Sequence, residues 1–380
     1  MERRSKTCLI TGGLGFIGLN VTKDLIRHGW NVTLFDNLSP QIHGVLPSIE
    51  NEVFNAPQVE IMRGDVRDVS LLKVALLEAD AVIHLAAETG TAQSMYQVAH
   101  YNAVNSQATA SLMDILANEQ HSIKKIVLAS SRSIYGEGAY LCEEHGMVFP
   151  SPRTLKEFQA GQWDPRCPLC HGSIFLTPTS ESTPPSPASI YAATKLAQED
   201  IVRISGAAFN IDTVVLRLQN VYGAGQSLHN PYTGILSIFS TRIRRGMNLP
   251  IFEDGLESRD FVHVNDVARA FRLALTSDAV NGRIINIGEG KPTSVMDIAN
   301  LLVDKLDGKI RPEVTGQYRL GDIRHCYADL TQASTLLGYS PEISIDKGLD
   351  QFVDWVLSQP LPDDGLDKAN EELRKRRMME

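Results

Sequence analysis

A tyrosine and a lysine stand four residues apart in the segment SIYAATK, as Tyr191 and Lys195. Residues four apart on a helix share one face, so the two side chains could act together. A lysine cation beside a phenol favours the phenolate, so a tyrosine whose ordinary pKa is roughly 10 could accept a proton nearer neutrality. The spacing is common by chance, and it predicts a catalytic pair only if a cofactor or substrate site lies beside it.

A glycine-rich turn near the N-terminus supplies such a site. The first strand-like run leads into TGGLGFIG, which places Gly12, Gly15 and Gly18 before a helix. Glycines there permit a tight turn, an approach of backbone N–H groups to a pyrophosphate, and close packing of helix on strand. With a strand before it and a helix after it, the pattern predicts a dinucleotide site.

Two acids at strand ends would surround the adenosine of that dinucleotide. Asp36 ends the second strand, NVTLFD, where a carboxylate accepts hydrogen bonds from the ribose of NAD and repels the 2′-phosphate of NADP. The alternative is that Asp36 is a surface turn residue. Asp65, in the segment RGD at the end of the third strand, is expected at the adenine edge.

The elements that must position these residues alternate between short apolar runs and amphipathic stretches, which is typical of a parallel sheet. We therefore expect an α/β fold, with a Rossmann-type doubly wound sheet over residues 1–222. A smaller mixed α/β, mainly substrate-binding lobe is expected over 223–360. Residues 361–380 are a charged tail, helical or disordered. Residues 140–187 are rich in Pro, Ser and Thr and predict a loop insertion.

Composition limits the function classes. The formal net charge is -9 and no basic stripe accompanies it, which disfavours nucleic acid as a partner. No apolar run approaches the roughly 20 residues that a membrane span needs. The start MERRSKTCLITGG has no signal-peptide core, so a cytoplasmic protein is expected.

The insertion contains Cys142 and His145 and, about twenty residues on, Cys167 and Cys170. This C-x-x-H and C-x-x-C spacing predicts a tetrahedral structural zinc site, with His171 as a substitute ligand; free thiols in a loop are the alternative. A thioredoxin-type redox pair would need a strand before it and a helix after it, which this segment does not supply.

The motifs TGGLGFIG, LAAE, ASSRSIYG, YAATK and LRLQNVYG together resemble those of the extended short-chain dehydrogenase/reductase family, specifically its nucleotide-sugar epimerases and dehydratases. The resemblance implies tightly bound, recycled NAD and a catalytic triad of Ser131, Tyr191 and Lys195. Tyr191 would remove a sugar hydroxyl proton while hydride passes to NAD, Ser131 would hydrogen-bond that oxygen, and Lys195 would bind the nicotinamide ribose. Asn105 matches a helix asparagine of the family, more structural than chemical.

The predicted site residues fall into two sets. Cofactor contacts are expected from Gly12, Gly15, Phe16, Ile17, Gly18, Asp36, Asn37, Asp65, Val66, Leu85, Ala86, Ala87, Asn105, Tyr191 and Lys195. Contacts to a nucleotide-sugar substrate are expected from Ser131, Arg132, Asn220, Arg259 and Arg324. An arginine gives bidentate contacts to a diphosphate, although each arginine could instead form a structural ion pair.

The residues after Ser131 bear on the reaction. Sugar 4,6-dehydratases of this family have Asp-Glu there, whereas this chain has Arg132 and Ser133. A 4-epimerase, which oxidises at C4, turns the keto-sugar and returns the hydride, fits better. The insertion and the segment QNVYGAGQSLHNPYTGIL most resemble the dTDP-L-rhamnose 4-epimerase subgroup.

Several alternatives stay open. Another nucleotide-sugar epimerase, of the UDP-glucose or UDP-glucuronate type, or a dehydrogenase or reductase of the same fold would share these motifs. A non-catalytic NAD-binding regulator ranks last, since all three triad residues are present. Helices near residues 102–117 and 192–204 could form a homodimer interface, or their apolar stripes could pack inside one chain.

Overall fold

The computed structural model describes residues 6–44, 52–230, 232 and 234–380. The basic start of the chain (residues 1–5), which entered the expectation of a cytoplasmic location, lies outside this range, as do residues 231 and 233 of the segment that resembles the subgroup.

The helices and strands of the described residues follow in chain order. The helices are α1 (Phe16–Arg27), α2 (Pro40–His43), α3 (Val69–Leu77), α4 (Thr91–Ser94), α5 (Val98–Tyr101), α6 (Ala108–Asn118), α7 (Leu155–Gln159), α8 (Ile190–Phe209), α9 (Ile235–Arg244), α10 (Val264–Thr276), α11 (Val295–Lys305), α12 (Thr331–Leu337), α13 (Ile345–Ser358) and α14 (Leu366–Lys375). The strands are β1 (Thr7–Thr11), β2 (Asn31–Asp36), β3 (Val59–Arg63), β4 (Ala81–His84), β5 (Lys125–Ser131), β6 (Tyr140–Cys142), β7 (Gly146–Val148), β8 (Phe175–Leu176), β9 (Asp212–Leu218), β10 (Asn220–Tyr222), β11 (Leu249–Ile251), β12 (Ser258–Arg259), β13 (Phe261–His263), β14 (Ile284–Ile287), β15 (Thr293–Ser294), β16 (Pro312–Val314) and β17 (His325–Cys326).

The central sheet has seven strands in the order β14-β9-β5-β4-β1-β2-β3, and every neighbouring pair is parallel. The chain order reverses between β1 and β4, so the carboxyl ends of these strands open a crevice where doubly wound sheets bind ligands. The predicted α/β class with a Rossmann-type sheet is confirmed.

Helices cover both faces of this sheet. On one face α1, α10 and α12 contribute Val21, Phe271 and Leu337 to a buried cluster with β1 and β9. On the other face α3, α6 and α8 contribute residues such as Leu112 and Val202. Because both faces are covered, the strands are continuous apolar runs, which is what the sequence pattern predicts.

The second lobe has its own core, in which α9, α11 and α13 pack through Phe239, Leu302 and Phe352. The division expected at residue 222 separates the two lobes only in part. Strand β14 returns to the edge of the Rossmann sheet beside β9, and α10 and α12 cover that end. The cause is burial, since Ile285 and Ile287 are completely buried there.

The insertion is more ordered than the expected loop. Strands β7, β6 and β8 form a small antiparallel sheet, and α7 begins with a capping box in which Thr154 and Glu157 satisfy each other's backbone N–H groups. Strands of two or three residues show no measurable alternation, which explains why periodicity did not reveal them.

The charged tail contains the amphipathic helix α14, which buries Leu366 and Leu373. Arg242 of α9 donates to the carboxylates of Asp364 and Asp367, which fixes the start of the tail. Within the described residues, no helix combines the length and the apolarity that crossing a bilayer requires.

Candidate active site

The glycine turn between β1 and α1 has the geometry of a phosphate cradle. Gly12 adopts φ +67°, and a Cβ at Gly18 would lie 2.6 Å from the carbonyl oxygens of Gly12 and Gly13. Helix α1 begins beside this turn with no side-chain cap, so its first N–H groups and its positive dipole end are available to an anion. The turn therefore fits the pyrophosphate of a dinucleotide.

Asp36 ends β2 at the rim of the same cavity. Its carboxylate accepts the backbone N–H groups of Leu14 (3.1 Å) and Leu38 (2.8 Å), which fixes its orientation. Asp65 is held differently. Arg67 donates two hydrogen bonds of 2.8 Å to it, and this charged neighbour keeps the pKa of Asp65 well below its usual range.

These features surround a cavity of about 380 Å³ that runs from the glycine turn to the triad. Most of the predicted cofactor contacts line it, namely Gly12, Gly15, Phe16, Ile17, Gly18, Asp36, Asn37, Val66, Leu85, Ala86, Ala87, Tyr191 and Lys195. Asp65 and Asn105 do not line it. Asn105 is fully buried and bonds the backbone of Glu88 and the hydroxyl of Thr194, so it ties α8 to the segment after β4.

The three triad residues come from two elements that meet at the end of this cavity. Ser131 is the last residue of β5, and Tyr191 and Lys195 lie in the first turns of α8. The hydroxyl of Ser189 caps α8 by accepting the N–H of Ala192 (3.2 Å). Tyr191 is hydrogen-bonded to Ser131, and Lys195 Nζ donates to the carbonyl of Ala129 (3.0 Å).

Burial controls the pKa values of this group. Burial raises the pKa of Tyr191. The hydrogen bond with Ser131 and the positive charge of Arg132 lower it, but by less than burial raises it. Burial also lowers the pKa of Lys195 to about 7, against the opposite influence of Glu199. The sequence had suggested that Lys195 would lower the pKa of Tyr191; the net shift is upward because the phenolate loses more solvation than its neighbours restore.

A second, smaller cavity of about 30 Å³ lies beside the residues that follow Ser131 and precede Tyr191. Its lining includes Arg132, Ser133, Ser189, Arg259 and Asp322. Arg132 Nε donates to the side-chain carbonyl of Asn220 (3.1 Å), so these two predicted substrate contacts are adjacent. Arg259 donates to three backbone carbonyls, those of Ser258, Ile323 and Arg324.

Arg324, the remaining predicted substrate contact, lies apart from both cavities. Its guanidinium is 1% exposed and binds the carboxylates of Asp254 (2.6 Å), Asp164 (2.8 Å) and Glu253 (3.1 Å). Here the structure places the arginine in an ion-pair network, the alternative that the sequence had left open.

The sequence of this chain matches the pattern of a known family. The pattern of the NAD dependent epimerase/dehydratase family matches residues 8–154 and 170–288, which include the glycine turn, Ser131, Tyr191 and Lys195. The chain belongs to the NAD dependent epimerase/dehydratase family. As a member of this NAD-dependent family the protein binds NAD, and the cavity described above contains a glycine turn and a carboxylate, Asp36, that would fit its pyrophosphate and ribose.

Individual relatives of this epimerase/dehydratase are similar over nearly their whole length. It is 37% identical to the dTDP-L-rhamnose 4-epimerase of Burkholderia thailandensis over 358 residues, covering 93% of this chain and 96% of the relative. It is 29% identical to the putative UDP-glucose 4-epimerase of Methanocaldococcus jannaschii, covering 92% and 97%.

Solved structures show the same architecture. The UDP-N-acetylglucosamine 4-epimerase of Methanobrevibacter ruminantium, in complex with UDP-N-acetylmuramic acid, superposes with a TM-score of 0.75 at 29% identity, covering 94% of this chain and all of that one. The UDP-glucuronic acid 4-epimerase of Bacillus cereus, in complex with UDP-glucuronic acid and NAD, gives 0.76 at 25% identity, covering 92% and 99%.

Sequence reasoning missed several residues of this epimerase/dehydratase site. The hydroxyl of Ser94 accepts the backbone N–H of Tyr191 (3.0 Å), and no motif marks it. Gln226, Ser227 and Asn230 line the dinucleotide cavity. All three lie in the segment QNVYGAGQSLHNPYTGIL, whose resemblance to the subgroup assigned them no role at the cofactor.

We expect Arg132 to set the pH at which this enzyme works. A base is active when deprotonated, so kcat/KM should rise with pH through the pKa of Tyr191. Removing the Arg132 charge in Arg132→Gln should raise that pKa, and move the rising limb about one unit to higher pH. The measurement is the pH profile of kcat/KM.

The matched variant Arg132→Lys keeps the positive charge, so the midpoint of its pH profile should stay close to that of the wild type. An unchanged midpoint in Arg132→Gln would mean that Arg132 does not influence Tyr191 and acts only as a contact to substrate.

Proposed function

We propose that the protein is a nucleotide-sugar 4-epimerase that interconverts dTDP-L-rhamnose and dTDP-6-deoxy-L-talose. The observation that carries the proposal is the Tyr191–Ser131 pair in the lining of the dinucleotide cavity, next in sequence to Arg132 and Ser133, which line the smaller cavity. The choice of sugar is supported by the 37% identity to a dTDP-L-rhamnose 4-epimerase over nearly the whole of both chains.

The side chains divide the work as follows. Tyr191 removes the proton of the C4 hydroxyl and later returns it, and Ser131 holds the same oxygen by a hydrogen bond. Lys195, which is buried and lines the cavity, would donate to the ribose of the cofactor. NAD supplies the acceptor and donor of the hydride, with no net redox change. The positive charge of Arg132 stabilises the phenolate of Tyr191.

The residues after Ser131 support epimerisation over dehydration. Elimination of water needs a further acid and base beside the triad, and the two positions that follow Ser131 carry no carboxylate. Arg132 bonds Asn220, and the hydroxyl of Ser133 donates to Ser131 (2.9 Å). One base that takes and returns one proton is sufficient for inversion at C4.

Proton NMR of the as-purified enzyme with dTDP-L-rhamnose and no added cofactor tests the proposal. We expect a second 6-deoxy-sugar nucleotide, inverted at C4, to appear and reach a fixed ratio without NADH absorbance. No change, followed by turnover of UDP-glucose or UDP-glucuronate, would favour one of those 4-epimerases. Net formation or consumption of NADH would instead indicate a dehydrogenase or reductase.

A homodimer is proposed through α6 and α8. These helices pack on each other, and apolar side chains on them stay partly exposed, among them Ala110, Leu196 and Ile204, the last 69% exposed. Light scattering at micromolar concentration should give twice the chain mass, and Ile204→Asp should reduce it, whereas the neighbouring Arg203→Asp should not. A monomeric wild-type protein would overturn the dimer.

The cytoplasmic location stays a prediction.

A further inference from the structure

Four side chains of the insertion that can bind a metal converge at one point. The ligand atoms of Cys142, His145, Cys167 and Cys170 all lie within 4.8 Å of one another. Cys142 Sγ is 3.6 Å from His145 Nδ1 and 3.7 Å from Cys170 Sγ, and Cys167 Sγ is 3.8 Å from the same imidazole nitrogen. All five cysteines of the chain are free thiols.

These separations match a tetrahedral zinc ion. Zinc–sulfur bonds of about 2.3 Å and zinc–nitrogen bonds of about 2.0 Å at tetrahedral angles place sulfurs about 3.8 Å apart and sulfur and nitrogen about 3.6 Å apart. The widest pair of the cluster needs to close by only about 1 Å to complete the tetrahedron. Three sulfurs and one imidazole nitrogen are a ligand set that selects zinc over the oxygen-preferring cations.

Each half of the cluster is held by a tight turn. Cys142 and His145 lie on the β6–β7 hairpin, where Cys142 pairs with Gly146. In the second turn the N–H of His171 donates to the carbonyl of Cys167 (2.9 Å), and that of Cys167 donates to the carbonyl of Gly172 (3.0 Å).

Backbone N–H groups in the second turn are directed at the sulfurs. The N–H groups of Cys170 and Leu169 hydrogen-bond the sulfur of Cys167. The N–H of Gly172 bonds Cys170 in the same way. Such donors stabilise thiolates, the form of cysteine that binds metal.

The small antiparallel sheet of the insertion has little apolar core of its own. Its buried apolar cluster contains only Tyr140, Cys142, Val148 and Cys167 among the described residues, so two of the four members are themselves candidate ligands. A core this small rarely stabilises a segment of this length without a metal or a disulfide.

We propose that Cys142, His145, Cys167 and Cys170 bind one structural zinc ion that fixes the insertion against the substrate cavity. His171, the substitute ligand suggested by the sequence, does not belong to the cluster. Residues 155–169, which contain Cys167, lie between the two stretches of the chain that the family pattern matches.

The insertion reaches the cavity through Arg153. Its guanidinium, 1% exposed, binds Glu137 (3.1 Å) and Glu253 (2.9 Å) and donates to the carbonyl of Asp322 (3.0 Å). Asp322 lines the small cavity together with Arg132 and Arg259. Loss of the zinc should therefore disturb the wall of the sugar-nucleotide site and leave the NAD cavity intact.

The first test is the metal content of the purified, untagged, full-length protein by inductively coupled plasma mass spectrometry. We expect close to one zinc per chain, and loss of zinc in Cys142→Ser and in Cys170→Ser. The matched control is Cys8→Ala, which alters a buried cysteine of β1 and should retain the metal. Substantially less than one zinc per chain in wild-type protein, even after growth with added zinc, would overturn the proposal.

A second measurement needs no variant, in case the substituted chains fail to fold. Cobalt(II) exchanged into the wild-type protein should show the intense visible bands of a tetrahedral ion and sulfur-to-cobalt charge transfer in the near ultraviolet. Weak visible bands without charge transfer would contradict thiolate ligation.

A kinetic readout rests on the proposed function. In folded Cys170→Ser protein, KM for the nucleotide sugar should rise about tenfold or more, with bound NAD unchanged, because the cavity wall is misplaced. If wild-type protein contains zinc but does not turn over dTDP-L-rhamnose, the proposed function fails and the zinc site stands. If wild-type protein turns over dTDP-L-rhamnose but contains no zinc, the zinc site alone is rejected.

Discussion

Tyr191→Phe should lower kcat by roughly 100- to 10,000-fold, the usual contribution of a positioned general base. The substitution removes the only atom through which this side chain can exchange a proton and leaves the ring packing in place. The hydroxyl hydrogen-bonds Ser131 at the end of the dinucleotide cavity. The measurement is the initial rate of C4 inversion, together with the NAD content of the denatured protein, which should equal that of the wild type.

The matched control is Tyr318→Phe. That hydroxyl bonds Glu380 (2.7 Å), and the tyrosine lines neither of the two cavities described above. We expect it to keep wild-type kcat. Substantial turnover by Tyr191→Phe with its NAD still bound would exclude Tyr191 as the base.

Glu199→Ala should lower the free energy of unfolding by about 3–5 kcal/mol, since it leaves a buried cation without its partner. Glu199 and Arg217 are 1% and 3% exposed, and Arg217 donates to both carboxylate oxygens, at 3.0 and 2.7 Å. Ser130 also donates to Glu199, so the pair supports the end of β5 that presents Ser131. Urea denaturation measures the change.

The control is Asp200→Asn on the next residue of α8. Its ion pair with Arg203 is exposed, with a separation of 3.6 Å, and such pairs contribute about 0–1 kcal/mol. The double variant Glu199→Met with Arg217→Met should recover most of the loss, because apolar residues replace both buried charges. Equal effects of Glu199→Ala and Asp200→Asn would contradict a buried, mutually dependent pair.

The substrate side of the site was harder to predict than the cofactor side. Gly12 follows β1, Gly18 lies in the first turn of α1 and Asp36 ends β2, so a local pattern is enough to place them in one crevice. Arg324 depends on residues 70 and 160 positions away, Asp254 and Asp164, and no local pattern reports such partners. Ser94, whose hydroxyl accepts a hydrogen bond from the N–H group of Tyr191, is likewise 97 residues away from it in sequence.

The sequence by itself determined the α/β class, the glycine turn, the acid at the end of β2 and the Tyr191–Lys195 pair. These features depend on strand and helix periodicity and on residues close together along the chain. Only the tertiary structure decided that β14 joins the first sheet, that Arg324 lies in an ion-pair network, and that the substitute ligand His171 does not belong to the cluster of His145 and the three cysteines. The tertiary structure also decided the direction in which the pKa of Tyr191 is shifted, because burial and charge at a site come from the packing of segments distant in sequence.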